Sequence, residues 1–411
     1  MDQGVESVKI GIIGMGYVGL VTGTVLANQG NHVVGVDIDT EKVTKLQKNI
    51  MPIYEPKLDK YISENKKRLE FSTDYGSLKD REAVFICTPT PTRNGRIDTS
   101  FVEESCRNLK KVNQTCTVII KSTVIPGTAK RIISETNMNV ISNPEFTREG
   151  SAISDTEKPD RVVIGGLDTS IVEKIWAFTE SPIIATTNEN AELIKYASNA
   201  FLAMKISFIN EIANLCERIP GADVDIIARG MGYDRRISPH FLKAGIGYGG
   251  SCFPKDAEAL YGFAQDNGVR LLLVEATMEV NKTRVEHALN IIQNDNGNFK
   301  VKKIGVLGIA FKDNTDDIRE SKAIEIVKSL EKKGYEVFVF DPSVRNIPIG
   351  AKMCKSMKEC IEMTDAIVIA GEWEEFRSLE SMKISKPIFD LKRVLDKNKV
   401  INYKGIGIWK E

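Results

Sequence analysis

Apolar and polar residues alternate along the first 190 positions in blocks that predict strands separated by helices. The opening run VKIGIIG leads into a glycine turn, a helical stretch follows, and the apolar block HVVGVDID comes next. Further strand-like blocks are AVFICTPTP, TVIIKSTV, MNVISNPEF and DRVVIGG, with helical patterns between several of them. Strand–helix–strand alternation of this kind predicts a doubly wound α/β domain built on a parallel sheet.

The pattern changes after this region. From Glu189 to about Arg218 the chain has neither glycine nor proline and keeps helical periodicity, which predicts one long helix. A helix of that length extends roughly 45 Å at about 1.5 Å per residue. We therefore expect it to link domains or to form an oligomer interface. The segments ADVDIIARGMG, KDAEALYGFAQDNG and LLLVEATMEVNKTRVEHALNIIQN also have helical patterns.

A third region repeats the strand–helix–strand order in KKIGVLGIAFK, SKAIEIVKSLEKKGYEVFVFDPSV, DAIVIAGEW and KPIFDLKRV. Its VFVFDP block echoes the earlier VVGVDID, but the glycines of GVLGIAF do not complete a dinucleotide motif. The domain boundary is predicted between NDNGNF and KVKK. The predicted fold class is α/β, with two Rossmann-like doubly wound domains over 1–190 and 301–411, joined by a helical central domain over 191–300 that contains the long helix.

Composition narrows the class of protein. The chain has 411 residues, 42% of them hydrophobic and 27% charged, which is typical of a globular protein of two or three domains. Its 56 basic and 56 acidic residues cancel, so no overall field attracts nucleic acid or an anionic membrane, although local basic clusters can still bind phosphates. No stretch approaches the roughly 20 apolar residues of a membrane span. The polar start MDQGVESVK does not look like a signal peptide.

Cysteine and histidine usage argues against disulfides and structural metal. Seven cysteines are spread along the chain with no C-x-x-C pair, and the three histidines are scattered. This spacing does not fit a zinc site or a disulfide framework. We expect a reduced, cytoplasmic protein that holds no metal.

The first strand–helix turn, GMGYVG at residues 14–19, is a complete G-x-G-x-x-G motif. The motif alone is a weak signal, but here it follows a strand, opens a helix and has Asp37 at the end of the next strand, 21 positions after Gly16. In such a turn Gly14 permits the tight bend, Gly16 lets the backbone meet a pyrophosphate, and Gly19 allows close helix–strand packing. Asp37 would bind the adenosine ribose and repel a 2′-phosphate, so the motif predicts NAD rather than NADP.

Residues 245–256, GIGYGGSCFPKD, place Cys252 in a loop with few large side chains. One interpretation is a turn that holds a buried core cysteine, since unpaired cysteines often act as small hydrophobes. The other is that the glycines let a substrate approach a reactive thiol closely.

Together these motifs resemble the UDP-glucose/GDP-mannose dehydrogenase family nearly from end to end. The matching segments, in order, are GMGYVGL, PIYEP, CTPTP, KSTVIPGT, NPEFTREGSA, IKYASNAFLAMKISFINEI, ISPHFLKAGIGYGGSCFPKD and GIAFKDNTDDIRES. The resemblance implies an NAD domain, a helical linker domain and a C-terminal UDP-binding domain. It also implies oxidation of the C6 alcohol of UDP-glucose to the carboxylate in two NAD-dependent steps, in a homodimer.

This reaction needs a group that retains the intermediate aldehyde. A thiolate can add to the aldehyde, give a thiohemiacetal that loses a second hydride, and leave a thioester for hydrolysis. On this chemistry Cys252 is the predicted nucleophile, and the neighbouring glycines are expected to give the sugar room.

The resemblance also implies roles for polar residues that have simpler explanations. Lys195 and Asn199 lie four apart on the long helix, a spacing typical of a solvated helix face, but their IKYASNAF context matches the family motif. They then stabilise the oxyanion or hold the sugar. Asp256 is either a first-turn residue after Pro254 or the group that assists base chemistry beside the cysteine. By resemblance, Thr123 and Glu145 order the water for proton transfer and thioester hydrolysis.

The remaining contacts implied by the family follow the same motifs. Arg236 resembles an arginine that reaches a neighbouring subunit's substrate, and Arg319 one near NAD, so the active site would depend on dimerisation; ordinary surface charges are the alternative. The further predicted NAD contacts are Tyr17, Val18, Lys42, Thr88, Thr123 and Glu149. The predicted substrate contacts are Glu145, Phe146, Lys195, Asn199, Arg236, Phe241, Lys243, Tyr248, Gly249 and Lys312.

One position departs from the family pattern, and two other functions stay open. Thr147 stands where the family commonly has Leu, a change we expect to be mild because the backbone there contacts the sugar. Relatives acting on UDP-N-acetyl-hexosamines have GGHC where this chain has GGSC, and GDP-mannose dehydrogenases usually show FAFGG where it has GIGYGG. A non-catalytic NAD or nucleotide-sugar sensor would need a lost catalytic residue. A one-step dehydrogenase of the 3-hydroxy acid type would need neither the cysteine nor a third domain.

Overall fold

The computed structural model describes residues 7–93, 95–294, 301–347 and 350–409. These form two compact units, Met1–Ser198 and Asn199–Glu411. The domain boundary predicted after NDNGNF falls at residues 295–300, outside the described residues, as do the first six residues of the polar N-terminus.

The first unit is built on an eight-stranded sheet in the order β10-β9-β8-β7-β4-β1-β2-β3, parallel except between β8 and β9. A short antiparallel ribbon, β5–β6, lies outside it. Its strands are β1 (Lys9–Ile13), β2 (His32–Val36), β3 (Leu69–Ser72), β4 (Ala83–Ile86), β5 (Thr92–Arg93), β6 (Arg96–Ile97), β7 (Thr117–Ile120), β8 (Val140–Ser142), β9 (Val162–Gly165) and β10 (Ile183–Thr186). Its helices are α1 (Tyr17–Asn28), α2 (Thr40–Gln47), α3 (Leu58–Glu64), α4 (Ser100–Val112), α5 (Thr128–Thr136), α6 (Ala152–Glu157) and α7 (Ser170–Trp176).

Both faces of this sheet are covered, which explains why its strands read as continuous apolar runs. In β1, Ile10 and Ile12 pack into the cluster on one face. Ile13 packs into the cluster on the other face. The chain turns in opposite directions from β1 and β4, so a ligand crevice is expected at the carboxyl ends of these two strands.

The long helix predicted from Glu189 is α8, Asn188–Cys216, and the prediction is confirmed to within two residues at each end. Three further helices predicted from the central region are also present: α9 (Val224–Gly232), α10 (Phe253–Asp266) and α11 (Leu272–Asn294). Pro254 lies in the first turn of α10, where a missing N–H costs nothing. In the described part of the chain, no helix combines the length and the apolar character needed to cross a membrane.

The second unit contains a six-stranded parallel sheet in the order β13-β12-β11-β14-β15-β16. This is the order of a doubly wound nucleotide-binding sheet, with its reversal between β11 and β14. Its strands are β11 (Lys303–Leu307), β12 (Glu336–Phe340), β13 (Lys352–Met353), β14 (Ala366–Ile369), β15 (Ile388–Asp390) and β16 (Tyr403–Gly405), and its helices are α12 (Lys322–Lys332) and α13 (Met357–Met363). One largely parallel and one fully parallel α/β sheet, together with a helical segment, confirm the predicted fold class.

The sequence echo between VVGVDID and VFVFDP is also an echo in structure. Asp341 follows β12, and its Oδ2 accepts the N–H groups of Ile309 and Ala310 at 2.8 and 3.1 Å, in the turn after β11. Asp37 follows β2 and its Oδ2 accepts the N–H of Met15, in the turn after β1, at 2.7 Å. In both sheets a buried carboxylate at the end of the second strand fixes the first strand–helix turn.

Candidate active site

The three motif glycines of the first turn have three different surroundings. Gly14 has φ +93°, and a Cβ there would lie 2.8 Å from the carbonyl oxygen of Cys87. A Cβ at Gly19 would lie 1.9 Å from the Gly14 carbonyl oxygen, so a side chain cannot fit between helix and turn. Nothing lies within 4 Å of the corresponding position at Gly16, which caps the N-terminus of α1. The turn is therefore closed by protein on two sides and open where α1 begins.

Asp37 is buried and already has protein partners on both oxygens. Its Oδ2 accepts the Met15 N–H at 2.7 Å and pairs with the Lys42 ammonium at 2.9 Å. Its Oδ1 accepts the N–H of Asp39 at 2.9 Å. A carboxylate oxygen can accept more than one hydrogen bond, so Oδ1 retains acceptor capacity for a ribose hydroxyl. Lys42 thus touches the predicted ribose-binding group.

Three other predicted cofactor contacts in this unit are Tyr17, Val18 and Thr88, and each has different neighbours. The hydroxyl of Tyr17 bonds to the buried carboxylate of Glu55 and accepts the Gly150 N–H at 2.9 Å; burial and Glu55 raise the pKa of this tyrosine. Val18 packs against the core on one face of the sheet. Thr88 follows β4, and its Oγ1 is buried with no hydrogen-bond partner among the described residues.

The residues of the turn fit a bound NAD. Helix α1 begins with unpaired N–H groups, which favour an anion such as a pyrophosphate. The open space at Gly16 and the unsatisfied Thr88 hydroxyl are the two local features that a ligand would complete.

Lys195 and Glu145, predicted independently from two motifs, form a buried ion pair. Lys195 Nζ lies 2.8 Å from Glu145 Oε1, and the two side chains are only 4% and 8% exposed. Burial alone raises the pKa of Glu145, but the Lys195 ammonium and two hydrogen bonds from Thr147 more than offset it and hold the pKa below its ordinary value. The carboxylate therefore stays ionised in a site with little water.

Thr147 contributes directly to this pair. Its N–H and its hydroxyl both donate to Glu145 Oε2, at 2.7 and 2.9 Å. A Leu at this position would have no hydroxyl to donate, so the Thr147 side chain makes a contact that the family's usual residue lacks. That this change is mild stays a prediction.

Phe146 and Glu149 belong to the same segment after β8 as Glu145. The Phe146 ring carries the guanidinium of Arg161 at 3.8 Å from its centroid and the ammonium of Lys195 at 5.5 Å. Glu149 is half-buried. Thr123 is partly buried at the end of β7 and lines a small cavity together with Lys195. The first unit thus brings Thr123, Lys195 and Glu145 into one neighbourhood.

In the second unit, Cys252 differs from every other cysteine. All seven lie in the described residues; Cys252 is exposed, and the other six are buried. It is the N-cap residue of α10, and its carbonyl oxygen accepts the N–H of Asp256 at 2.9 Å. The buried-core interpretation of this cysteine is therefore wrong.

The expectation that the glycines beside Cys252 leave room for a sugar does not hold for two of them. A Cβ at Gly249 would lie 2.1 Å from the Glu320 carbonyl oxygen, and one at Gly250, φ +81°, 2.6 Å from the Phe311 ring. These positions are filled by protein. Two of the glycines therefore serve close packing within the second unit rather than room for a sugar.

Asn199 and Asp256 are a second pair of predicted catalytic residues in contact. Asn199 Nδ2 donates to Asp256 Oδ2 at 2.6 Å, and both residues are buried, at 7% and 1% exposed. Lys255 Nζ lies 2.9 Å from the other carboxylate oxygen. Asp256 lies in the first turn of α10, as the simpler interpretation predicts. Its carboxylate is nevertheless buried and hydrogen-bonded to Asn199.

The predicted substrate residues of the second unit cluster around aromatic rings. Phe253 packs edge-on against Phe241 and Tyr248, with centroids 6.0 and 6.1 Å apart. Burial raises the pKa of Tyr248 to about 12, so its phenol is neutral at ordinary pH. The backbone of Phe241 is left-handed, with φ +64°. Lys312 lies 5.9 Å above the ring of Phe311.

Lys243 contacts an acidic residue that the sequence did not single out. Glu372 Oε2 pairs with Lys243 at 2.6 Å, and its Oε1 pairs with Lys392 at 3.2 Å. Burial opposes ionisation, but the two ammonium groups lower the pKa of Glu372 to about 2. Glu372 follows β14 at the reversal point of the sheet, and an acidic residue just after a predicted strand was the signal that would have found it.

Two predicted arginines lie on the surface. Arg236 is paired with Asp234 at 2.7 Å, and its side chain is 90% exposed. Arg319 pairs with Asp317, and its side chain is 65% exposed. Both side chains therefore lie largely in solvent, each beside an acidic neighbour in the second unit.

Besides Glu372, sequence reasoning missed three further polar residues, two in the first unit and one in the second. Lys121 is buried at the end of β7, 4.9 Å from the Trp176 ring centroid, and burial lowers its pKa to about 8. Glu192 lies three residues before Lys195 and bonds to the start of α5. Asn281 on α11 bonds to the backbone of Tyr248. Lys121 in KSTV and Glu192 in AELIK lie inside or beside recognised motifs, whereas no local pattern marks Asn281.

Family models and solved structures match this geometry along the chain. The UDP-glucose/GDP-mannose dehydrogenase family models match as an NAD binding domain over residues 8–179, a central domain over 189–283 and a UDP binding domain over 305–397. A UDP-glucose 6-dehydrogenase from Rhizobium meliloti (strain 1021) is 42% identical over 97% of this chain and 99% of that protein.

The chain belongs to the UDP-glucose/GDP-mannose dehydrogenase family.

Two solved structures of this family are similar over nearly the whole chain. A UDP-glucose dehydrogenase from Pyrobaculum islandicum superposes with a TM-score of 0.93 at 32% identity and covers 100% of both chains. A UDP-D-ManNAc dehydrogenase from Pyrococcus horikoshii has a TM-score of 0.87 at 28% identity, covering 97% of this chain and 99% of the other. Like other members of the UDP-glucose/GDP-mannose dehydrogenase family, the protein is an oxidoreductase with an NAD binding domain, so the NAD prediction from GMGYVG is confirmed.

Proposed function

We propose that this enzyme oxidises the C6 alcohol of UDP-glucose to the carboxylate of UDP-glucuronate in two NAD-dependent steps with a covalent intermediate on Cys252. The observation that carries the proposal is the exposure of Cys252 at the N-terminus of α10 while six other cysteines are buried. The partial positive charge of a helix N-terminus favours a negative charge on the sulfur. Relatives named UDP-glucose 6-dehydrogenase support UDP-glucose as the sugar nucleotide.

The first oxidation removes a proton and a hydride from the alcohol. The GMGYVG turn and Asp37 would hold NAD, which would supply the hydride acceptor for both oxidations. Glu145 and Thr123 hold the water that receives the proton. Glu145 suits this role because it stays ionised beside Lys195 in a buried site.

The second oxidation passes through the thiol. The Cys252 sulfur forms a bond to C6 of the aldehyde, and the carbonyl oxygen becomes an oxyanion stabilised by Lys195 and Asn199. Loss of the second hydride leaves a thioester. Water then attacks the thioester carbon, the C–S bond breaks and the thiolate leaves, with Glu145 and Asp256 ordering the water and taking its proton.

The substrate nucleotide is assigned to the second unit. The cations for the diphosphate are Lys243 and Lys312. The aromatic shelf for the uracil is Tyr248, and the backbone donor is Gly249. Three domains, 1–190, 191–300 and 301–411, divide these roles into NAD binding, the catalytic cysteine loop and UDP binding.

The assembly is proposed to be a homodimer formed through the second half of α8. Phe201, Phe208 and Leu215 are spaced seven residues apart and are 57, 45 and 55% exposed. Apolar residues at this period form one stripe along a helix, as in a two-helix seam. Arg236, which is 90% exposed, would reach the partner's substrate. Sedimentation of Phe208→Asp should show a monomer where the wild type is a dimer; a monomeric wild type would contradict the assignment.

The test of the reaction is a substrate panel. Purified enzyme is incubated with UDP-glucose, UDP-galactose, UDP-N-acetylglucosamine or GDP-mannose, and NADH is counted per sugar consumed. UDP-glucose should be preferred and should yield two NADH and one UDP-glucuronate. One NADH per sugar would indicate a one-step dehydrogenase, no NADH with any sugar a sensor, and preference for another sugar a different member of the family.

A further inference from the structure

Three polar side chains on α8 contact groups at the carboxyl end of β8. Asn188 Oδ1 accepts the Ser142 N–H at 2.8 Å. Glu192 lies one turn further along the helix and accepts the Ser142 hydroxyl at 3.2 Å. Lys195 follows and pairs with Glu145 at 2.8 Å. The first turns of α8 are thus fixed to the segment that carries the proposed catalytic carboxylate.

Glu192 makes a further connection that the other two do not. Its Oε2 accepts the N–H of Gly127 at 2.7 Å, and its Oε1 accepts the N–H of Ala129 at 2.9 Å. These groups flank the start of α5, where N–H groups have no intrahelical partner. Glu192 is 2% exposed, so its carboxylate is committed to donors from α5 and β8.

The loop that leads into α5 carries Thr123. Thr123, Glu192 and Lys195 line the same small cavity in the first unit. Only a few residues separate Thr123 from Gly127, so the backbone that Glu192 anchors is the continuation of the Thr123 loop.

We propose that Glu192 is a positioning residue for the reaction, whose carboxylate fixes the Thr123 loop and the start of α5 against the turn of α8 that presents Lys195. The inference rests on the proposed function, because Glu192 can position the reaction only if Thr123 and Lys195 have the catalytic roles assigned above. Glu192 itself touches neither substrate nor cofactor in this assignment.

The charge state of Glu192 gives the proposal a specific readout. Burial raises the pKa of Glu192 to about 7, opposed by the N–H groups of Ala129 and Gly127 and by the Ser142 hydroxyl. The charge of Glu189 on the same helix raises the pKa of Glu192 further. The cation in the lining of the same cavity is Lys195. The groups that face Glu192 from α5 and β8 are the N–H and hydroxyl donors already named. Since all three donors favour the carboxylate, the anchor tightens as pH rises through about 7.

The test compares Glu192→Gln with Glu189→Gln, which removes an exposed carboxylate one turn earlier on the same helix. Glutamine presents one acceptor and one donor group, so it cannot accept from both Gly127 and Ala129. Glu192→Gln should lower kcat on the order of tenfold to a hundredfold, the scale of a small misplacement of catalytic groups. KM for UDP-glucose and NAD should stay within about twofold, because neither ligand's contacts are removed. Wild type should show an acid limb near pH 7 that Glu192→Gln lacks, and Glu189→Gln should keep this limb, moved slightly to lower pH because the Glu189 charge raises the pKa of Glu192.

Each outcome decides something different. A folded Glu192→Gln enzyme with kcat within twofold of wild type and the same pH profile would overturn the proposal while leaving the reaction intact. A wild type that oxidises no nucleotide sugar would instead refute the proposed function. If Glu192→Gln does not fold, Ser142→Ala carries the test: it removes one donor to Glu192 and should lower kcat about threefold with KM unchanged. An unchanged kcat in that variant would overturn the role of Glu192.

Discussion

The side-chain amide of Asn281 binds both backbone polar groups of Tyr248. Tyr248 N–H donates to Asn281 Oδ1 at 2.8 Å, and Asn281 Nδ2 donates to the Tyr248 carbonyl oxygen at 3.0 Å. A Cβ at Gly247 would lie 2.3 Å from the same Oδ1, so the glycine at that position is what admits the amide. Helix α11 therefore fixes the loop that precedes Cys252 by recognising its backbone.

Asn281→Ala should destabilise the protein and slow the reaction together. It leaves two buried backbone groups without partners, at about 1–3 kcal/mol each. The loss is measured as the free energy of unfolding in denaturant and as kcat. Asn290→Ala, at an exposed position of the same helix, is the matched control. Stability and kcat equal to those of the control would show that the loop does not need this anchor.

Thr147→Val should move the acid side of the pH–rate profile to higher pH. The hydroxyl of Thr147 donates to Glu145 and, with Lys195, holds the pKa of that carboxylate below its ordinary value. Removing a donor to the ionised form raises the pKa, so protonation and loss of activity begin at higher pH as pH is lowered. Thr147→Ser keeps the hydroxyl and should retain the wild-type profile. Superimposable profiles for Val and wild type would mean that the bond does not tune Glu145.

Asp37→Asn should narrow the preference for NAD over NADP. The substitution keeps the shape of the side chain but removes the negative charge that repels a 2′-phosphate. It also weakens the pairing with Lys42, so kcat/KM for NAD should fall roughly tenfold, on the scale of one lost charged hydrogen bond. The measurement is the ratio of kcat/KM for the two cofactors. A wild type that uses NADP as efficiently as NAD would contradict the assignment of Asp37.

Lys243→Ala and Lys312→Ala should raise KM for UDP-glucose and leave KM for NAD unchanged. Each removes a cation assigned to the diphosphate, worth about tenfold in binding. Lys358→Ala, whose side chain is 82% exposed on α13, controls for loss of a surface charge. Equal changes in both KM values, or none, would remove these lysines from the nucleotide site.

The arrangement of strands and helices followed from sequence because each block carried its own signal. Alternating apolar runs, the GMGYVG turn and an uninterrupted helical stretch are local patterns, and α8 ends within two residues of its prediction. Motif matching likewise found Lys195 with Glu145 and Asn199 with Asp256, although it did not show that each pair is in direct contact.

What sequence could not predict are partners brought together by tertiary packing. Whether Gly249 faces a substrate or the carbonyl of Glu320 depends on where a segment some seventy residues later passes. The pairing of Glu372 with Lys243 joins positions 129 residues apart. The sequence also does not show that the Thr147 hydroxyl donates to Glu145 and not to solvent.

The most direct test of the covalent mechanism is the product made by Cys252→Ala. NADH and UDP-glucuronate are counted per UDP-glucose, with Cys106→Ala, which replaces a buried cysteine, as the control for loss of a thiol. Wild type and Cys106→Ala should give two NADH and one UDP-glucuronate, with any loss in the control traced to stability. Cys252→Ala should make no UDP-glucuronate at steady state while still passing a single hydride and retaining the aldehyde or its hydrate. Folded Cys252→Ala protein that makes UDP-glucuronate at near wild-type rate would contradict the account.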